Sequence, residues 1–181
     1  FLASDESTIS NTSICLSLNG VDADQIKSMT KLLEEHNVAY DIGACGIKIA
    51  SSNLLHKPLI EHVIKFNIPI FLDTGKASMN EIVRSVGWFK KKGFNKLHIQ
   101  HSPYPPPSPI FKHDLNMIKT FKKKFKLSVG LSDHHKTEEM LYAAIALGAS
   151  TIEKGIISNE IKNDIDVFHA LNVDNFKIVN Q

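Results

Sequence analysis

At 181 residues, with 43% apolar and 22% charged content, the chain has the size and balance of one globular domain. Its formal net charge of +2 is spread over mixed signs and gives no reason to expect nucleic acid. Two cysteines, Cys15 and Cys45, make neither a disulfide framework nor a zinc knuckle, so a reducing, cytoplasmic setting is expected. No apolar run approaches the ~20 residues that span a bilayer, and no basic-then-apolar leader is visible. The opening at Phe1 instead of Met leads us to expect a fragment or a processed chain.

The first 45 residues are the least regular. Residues 14–18 read as a strand, residues 22–35 as a helix with Ile26, Met29, Leu32 and Leu33 on one side, and residues 38–42 as a second strand. That second strand runs almost directly into the next, at 47–50, across only Gly43-Ala44-Cys45-Gly46. Two parallel neighbours need a crossover of about a dozen residues or more, so a lost helix or a missing segment is expected there.

From residue 46 onward two signals alternate. Short β-branched runs at 47–50, 68–72, 96–99, 127–131 and 151–153 read as strands, and amphipathic stretches at 58–66, 79–91, 114–125 and 138–147 read as helices. Strands recurring every ~20–30 residues with a helix between them are βαβ units, which force a parallel sheet. Ser78 with Glu81 three residues on predicts a capping box. Thr137 leads into Glu138 and Glu139, which place acid in a first turn, and Gly148 closes that helix. The run Lys122-Lys123-Lys124 falls on a helix whose buried stripe is Phe121 and Phe125, and reads as a solvated face.

In parallel α/β folds the chemistry collects at the carboxyl ends of the strands. Those ends carry Ser51-Ser52-Asn53, Asp73-Thr74-Gly75-Lys76, His101-Ser102-Pro103-Tyr104, Ser132-Asp133-His134-His135 and Glu153-Lys154-Gly155, whereas the opposite ends carry plain turn residues. A histidine beside a hydroxyl and a carboxylate binds a metal or a phosphate, with the carboxylate fixing its tautomer; the alternative is a hydrogen-bonded loop histidine. Lys48 lies inside an apolar strand, where an unpaired ammonium would cost several kcal/mol. A phosphate or carboxylate partner facing a barrel interior would explain it, and an edge-strand lysine facing water is the other reading.

Five stretches, in this order, resemble the sialic acid synthase family: Lys48-Ile49-Ala50-Ser51; Ile70-Phe71-Leu72-Asp73-Thr74-Gly75; Ser102-Pro103-Tyr104-Pro105; Val129-Gly130-Leu131-Ser132-Asp133-His134; and the run from Ala144 through Leu147-Gly148-Ala149 to Glu153-Lys154. A weaker match follows at Asp166-Val167-Phe168-His169-Ala170-Leu171. The resemblance implies a TIM (β/α)₈ barrel forming a single domain over 1–181, incomplete at its first strands, with the antifreeze-like C-terminal domain of many relatives absent. Residues 38–42 would be the third strand, the five later runs the fourth to eighth, and the first two strands absent or vestigial in residues 1–18. It also implies condensation of phosphoenolpyruvate with an N-acetylated amino sugar, with a homodimer as a further expectation.

Carried over by position, Lys48, Ser51, Ser102 and Ser132 would hold phosphoenolpyruvate, Tyr104 and Asp166 would contact the sugar, and His134 would be one of two histidines on a divalent manganese or magnesium ion. The physics is coherent, because a Lewis acid activates the sugar aldehyde while cations hold the anion. Two positions depart from the pattern. The second metal histidine is Gly155, and a serine of the family's Ser-Thr-Gly is Asp73, which puts a carboxylate where a phosphate oxygen belongs. At ~4 Å and an effective dielectric of ~20 that repulsion is of order several kcal/mol; Asp73 or His135 would otherwise complete a rearranged metal site. Two further hypotheses stand beside synthesis. One is a non-catalytic barrel that binds a sugar, an anion or a partner subunit. The other is a metal phosphoesterase using Asp133-His134-His135 with Asp22 and Asp24.

Overall fold

A computed structural model of the chain describes residues 15–18, 46–103, 107–157 and 167–172, the first stretch as backbone. Its elements are β1 (Cys15–Leu18), β2 (Gly46–Ile49), α1 (Lys57–Val63), β3 (Ile70–Asp73), α2 (Met79–Lys91), β4 (Leu97–His101), α3 (Asn116–Phe125), β5 (Ser128–Asp133), α4 (Glu139–Ala146), β6 (Ile152–Lys154), β7 (Ile156–Ile157) and β8 (Leu171–Asn172). Strands β1 to β6 form one parallel sheet in sequential order, and β7 pairs with β8 in a second parallel pair. Helices cover one face. This is an incomplete (β/α) barrel.

The sheet alternates strictly. Ile47, Ile49, Ile70, Leu72, Leu97, Ile99, Val129 and Leu131 face the helices and are buried with Leu59, Ile60, Val63, Ile82, Val86, Phe89, Ile118 and Phe121. The intervening positions, Lys48, Phe71, His98 and Ser128, form one row across the register of β2 to β5. That opposite face is concave, because Lys48 of β2 bonds Glu153 of β6, four strands away. Neighbouring strands lie about 4.8 Å apart, so on a flat sheet the gap would exceed the reach of any lysine.

Local chemistry explains the punctuation. Ser78 and Glu81 make the expected capping box, with Ser78 N donating to the Glu81 carboxylate at 2.7 Å. Buried Ile82, Val86 and Phe89 give α2 its core stripe. Gly148 has φ of +89° at the close of α4, as its position demanded. Gly130 is required for a different reason: a Cβ there would stand 2.5 Å from the Thr151 carbonyl and 2.2 Å from Gln100 Oε1. Lys123 and Lys124 are solvated, as the basic run predicted.

The N-terminal reading needs correction. The parallel neighbour of β2 is β1, paired from Cys15 with Gly46 to Leu18 with Ile49, and the other edge of β2 is taken by β3. A strand at 38–42 is therefore not the neighbour of the Ile47 strand; residues 38–42 lie outside the described residues. The short Gly43-Ala44-Cys45-Gly46 connection presents no topological conflict, because the crossover between the paired strands is the much longer stretch 19–45. Nor is the strand at residues 15–18 vestigial; it completes the hydrogen-bonded edge of β2. Among the described residues no helix is long and apolar enough to cross a membrane.

Candidate functional site

The corners after β2, β3, β4 and β5 open into a cavity of about 500 Å³ lined by Ser51, Asp73, Gly75, Lys76, Ser102 and His134, among others. Each corner is held by its own backbone. After β2 the chain turns through a short 3₁₀ segment, with Asn53 N donating to Ala50 O at 2.9 Å, and presents Ser51. After β3, Thr74 is buried and donates from Oγ1 to Gln100 O at 2.9 Å, which fixes Gly75 beneath the cavity. A Cβ on Gly75 would lie 3.3 Å from each of Ser51 Oγ, Ser102 Oγ and Asp73 Oδ1. Three oxygens from three corners therefore gather around one glycine.

Asp73 does not stand idle there. Its Oδ1 accepts the Gly75 N–H at 2.8 Å, and its Oδ2 pairs with Lys48 Nζ at 3.2 Å, while Lys48 also bonds Glu153. Burial alone would push the Lys48 ammonium down, but the two carboxylates, Glu153 first and then Asp73, outweigh it and hold the group above its ordinary value. Lys48 thus faces the concave interior as expected, and its partner is a pair of carboxylates from the chain itself. Asp73 thus supplies an internal anion to the Gly75 N–H and to the Lys48 ammonium.

His134 lines the cavity, and its Nδ1 is buried with no hydrogen-bond partner among the described residues. Desolvation, then the nearby His169, holds its imidazolium below the ordinary histidine range, so the ring is a neutral nitrogen donor. The expectation that Asp133 orients His134 is wrong. Asp133 is buried behind the loop, where its Oδ1 accepts from His113 Nε2 at 2.9 Å and its Oδ2 pairs with Lys154 at 2.6 Å. Burial would raise that carboxyl, but the hydrogen bonds from His113 and Lys154 outweigh it and hold the group below the ordinary carboxylate value. His135 turns the other way and donates from Nδ1 to Ser108 O at 2.9 Å. Asp133, His134 and His135 therefore share no ligand set, which leaves the phosphoesterase motif without its geometry; Asp22 and Asp24 lie outside the described residues.

Of the residues singled out from the sequence, Ser51, Asp73, Ser102 and His134 meet in one cavity, with Lys48 joined to it through Asp73. Ser132 does not line it: the residue is fully buried, and its hydroxyl has no hydrogen-bond partner among the described residues. Tyr104 and Asp166 lie outside the described residues. The sequence reading passed over His113 and gave no role to Lys154 or His169, although both fell in stretches it singled out. Only the identity of Lys154 at a strand end hinted at its role, because pairings to residues twenty positions away leave no local signal. No group of three or more His, Cys, Asp or Glu side chains that could hold a metal is present among the described residues.

Comparison with known proteins agrees with this architecture. The model of the NeuB family matches residues 21–181. N,N'-diacetyllegionaminic acid synthase of Campylobacter jejuni is 33% identical over 67% of this chain and 37% of that protein. Spore coat polysaccharide biosynthesis protein SpsE of Bacillus subtilis is 32% identical over 73% of this chain and 36% of its own length. The crystal structure of SpsE superposes with a TM-score of 0.76 at 25% identity, covering 91% of this chain and 43% of that one. The chain spans well under half the length of these curated relatives.

Proposed function

The chain belongs to the NeuB family, and on that footing we propose that its strand-end cavity binds phosphoenolpyruvate and an N-acetylated amino sugar and joins them into a nonulosonic acid of the sialic acid type. Naming of relatives such as the Campylobacter jejuni synthase supports the reaction class. The observation that carries the reading to this chain is the convergence of Ser51 Oγ, Ser102 Oγ and the Gly75 corner in one cavity with His134 on its wall.

The residues divide the work by chemistry. The hydroxyls of Ser51 and Ser102 donate to an anion seated over Gly75, and Lys48 and Lys76 supply positive charge at close range. His134 offers the neutral nitrogen that would hold a divalent ion, which when bound acts as a Lewis acid on the sugar aldehyde. Tyr104 and Asp166 are assigned to the sugar by resemblance. An entering anion displaces the Asp73 carboxylate from Lys48 and from the Gly75 N–H. Binding of phosphoenolpyruvate is accordingly weak in this chain.

That same displacement favours a second reading, a barrel of this family that binds a sugar, an anion or a partner subunit without turnover. The two separate in one assay. Phosphoenolpyruvate is incubated with the chain, manganese and an N-acetylated hexosamine, and its consumption is followed with and without the sugar. Sugar-dependent loss supports the synthase; no loss beyond the enzyme-free control supports the non-catalytic barrel.

A further inference from the structure

The family resemblance places a second metal histidine at residue 155, where this chain has glycine. The structure supplies a histidine from elsewhere. Leu171 N donates to Gly155 O at 2.8 Å, and β7 pairs with β8 from Ile156 with Leu171 onward, which brings the segment before β8 against the glycine. The nearest atoms to a Cβ built on Gly155 are Ala170 Cβ at 3.6 Å, Ala170 Cα at 3.7 Å and His169 Nδ1 at 4.0 Å. The space a side chain at 155 would grow into is bordered by an imidazole nitrogen. That imidazole is 8% exposed and meets His134 edge-on, with ring centroids 5.2 Å apart and planes at 90°.

We propose that His169 takes the ligand role vacated at Gly155, so that His134 and His169 together hold one divalent cation at the edge of the cavity. Metal–nitrogen bonds of about 2.1 Å put two imidazole centroids on one ion roughly 5 Å apart, which matches the observed separation. Two imidazoles select a later first-row transition ion such as cobalt, nickel or zinc over magnesium, which prefers an all-oxygen shell. Water and substrate oxygens fill the remaining positions, which is why two protein donors suffice. The role of this ion in condensation rests on the synthase reading above; the ion site itself rests on the two rings.

The test is a cobalt(II) titration of the full chain followed by its visible ligand-field absorption. His169→Phe keeps a ring packed on His134 and removes both nitrogens. The wild type is expected to bind one cobalt ion, and His169→Phe and His134→Ala each to bind more than about tenfold more weakly, since even residues that only orient ligands cost about 10–100-fold. In His169→Ala/Gly155→His the donor returns to position 155, where its Cβ meets only ordinary contacts, and cobalt binding is regained. Absence of ligand-field bands in the wild type, or unchanged affinity in His169→Phe, overturns the proposal. If the phenylalanine variant does not fold, the double variant decides: binding regained there but absent from His169→Ala supports the swap, and equal binding by the two overturns it. Cobalt binding without turnover of phosphoenolpyruvate leaves the ion site standing and removes only the synthase reading.

Discussion

Two clusters, each built around a lysine and an aspartate, sit at the strand ends in different surroundings. Behind the loop, the side chains of Lys154 and Asp133 are 1% and 0% exposed and are tied to His113 and to the His135 backbone. In front of it, Lys48 is 13% exposed, Asp73 7% and Glu153 37%, and the cluster borders a cavity. A closed pair cannot trade its partners for a ligand, because each freed charge would be stranded without water. An open one can. The closed cluster fixes the loop that carries His134, and the open cluster is the one that the proposed anion would meet.

Breaking the closed cluster should cost most. Lys154→Met leaves the Asp133 carboxylate buried and half-satisfied, with an expected loss of about 3–5 kcal/mol in urea unfolding; a loss below about 1 kcal/mol would erase the distinction between the clusters. Gly130→Ala forces a Cβ to 2.5 Å from the Thr151 carbonyl, a backbone atom that cannot rotate away. The expected cost is about 1–3 kcal/mol, read as a lowered thermal midpoint. Asp73→Ser removes the internal anion from Lys48 and the Gly75 N–H. It is expected to tighten phosphoenolpyruvate binding by at least about tenfold, or about 1.4 kcal/mol, while changing unfolding free energy by less than Lys154→Met does. The smallest effect belongs to Ser78→Ala, which should cost about 1 kcal/mol through the lost cap, read as a lowered thermal midpoint.

Much of this was legible in the sequence, and the rest was hidden for identifiable reasons. The strands and helices from residue 46 to 154 follow from period and punctuation, because alternation such as Ile47-Lys48-Ile49 records which face each side chain takes; the short β7 and β8 carried no such signal. The neighbour of β2 was misjudged because pairing between segments some thirty residues apart leaves no mark on either one. Lys48 announced a buried counter-charge, and Asp73 and Glu153 provide it. Asp133 was read as the orienting partner of His134 because the two are adjacent, yet Asp133 ends β5 with its carboxylate taken by His113 and Lys154, and His134 belongs to the loop beyond the strand. His169 lies fourteen positions after Gly155 in the sequence, and the short β7–β8 pairing brings the two together.

The central claim is that Ser51, Ser102 and the Gly75 corner form one anion seat. Calorimetric titration of phosphoenolpyruvate into the wild-type chain and into Ser51→Ala/Ser102→Ala tests it most directly. The account predicts one weak site per chain, weakened a further tenfold or so by the double substitution. Binding of equal strength in both proteins would place the anion elsewhere and contradict the account.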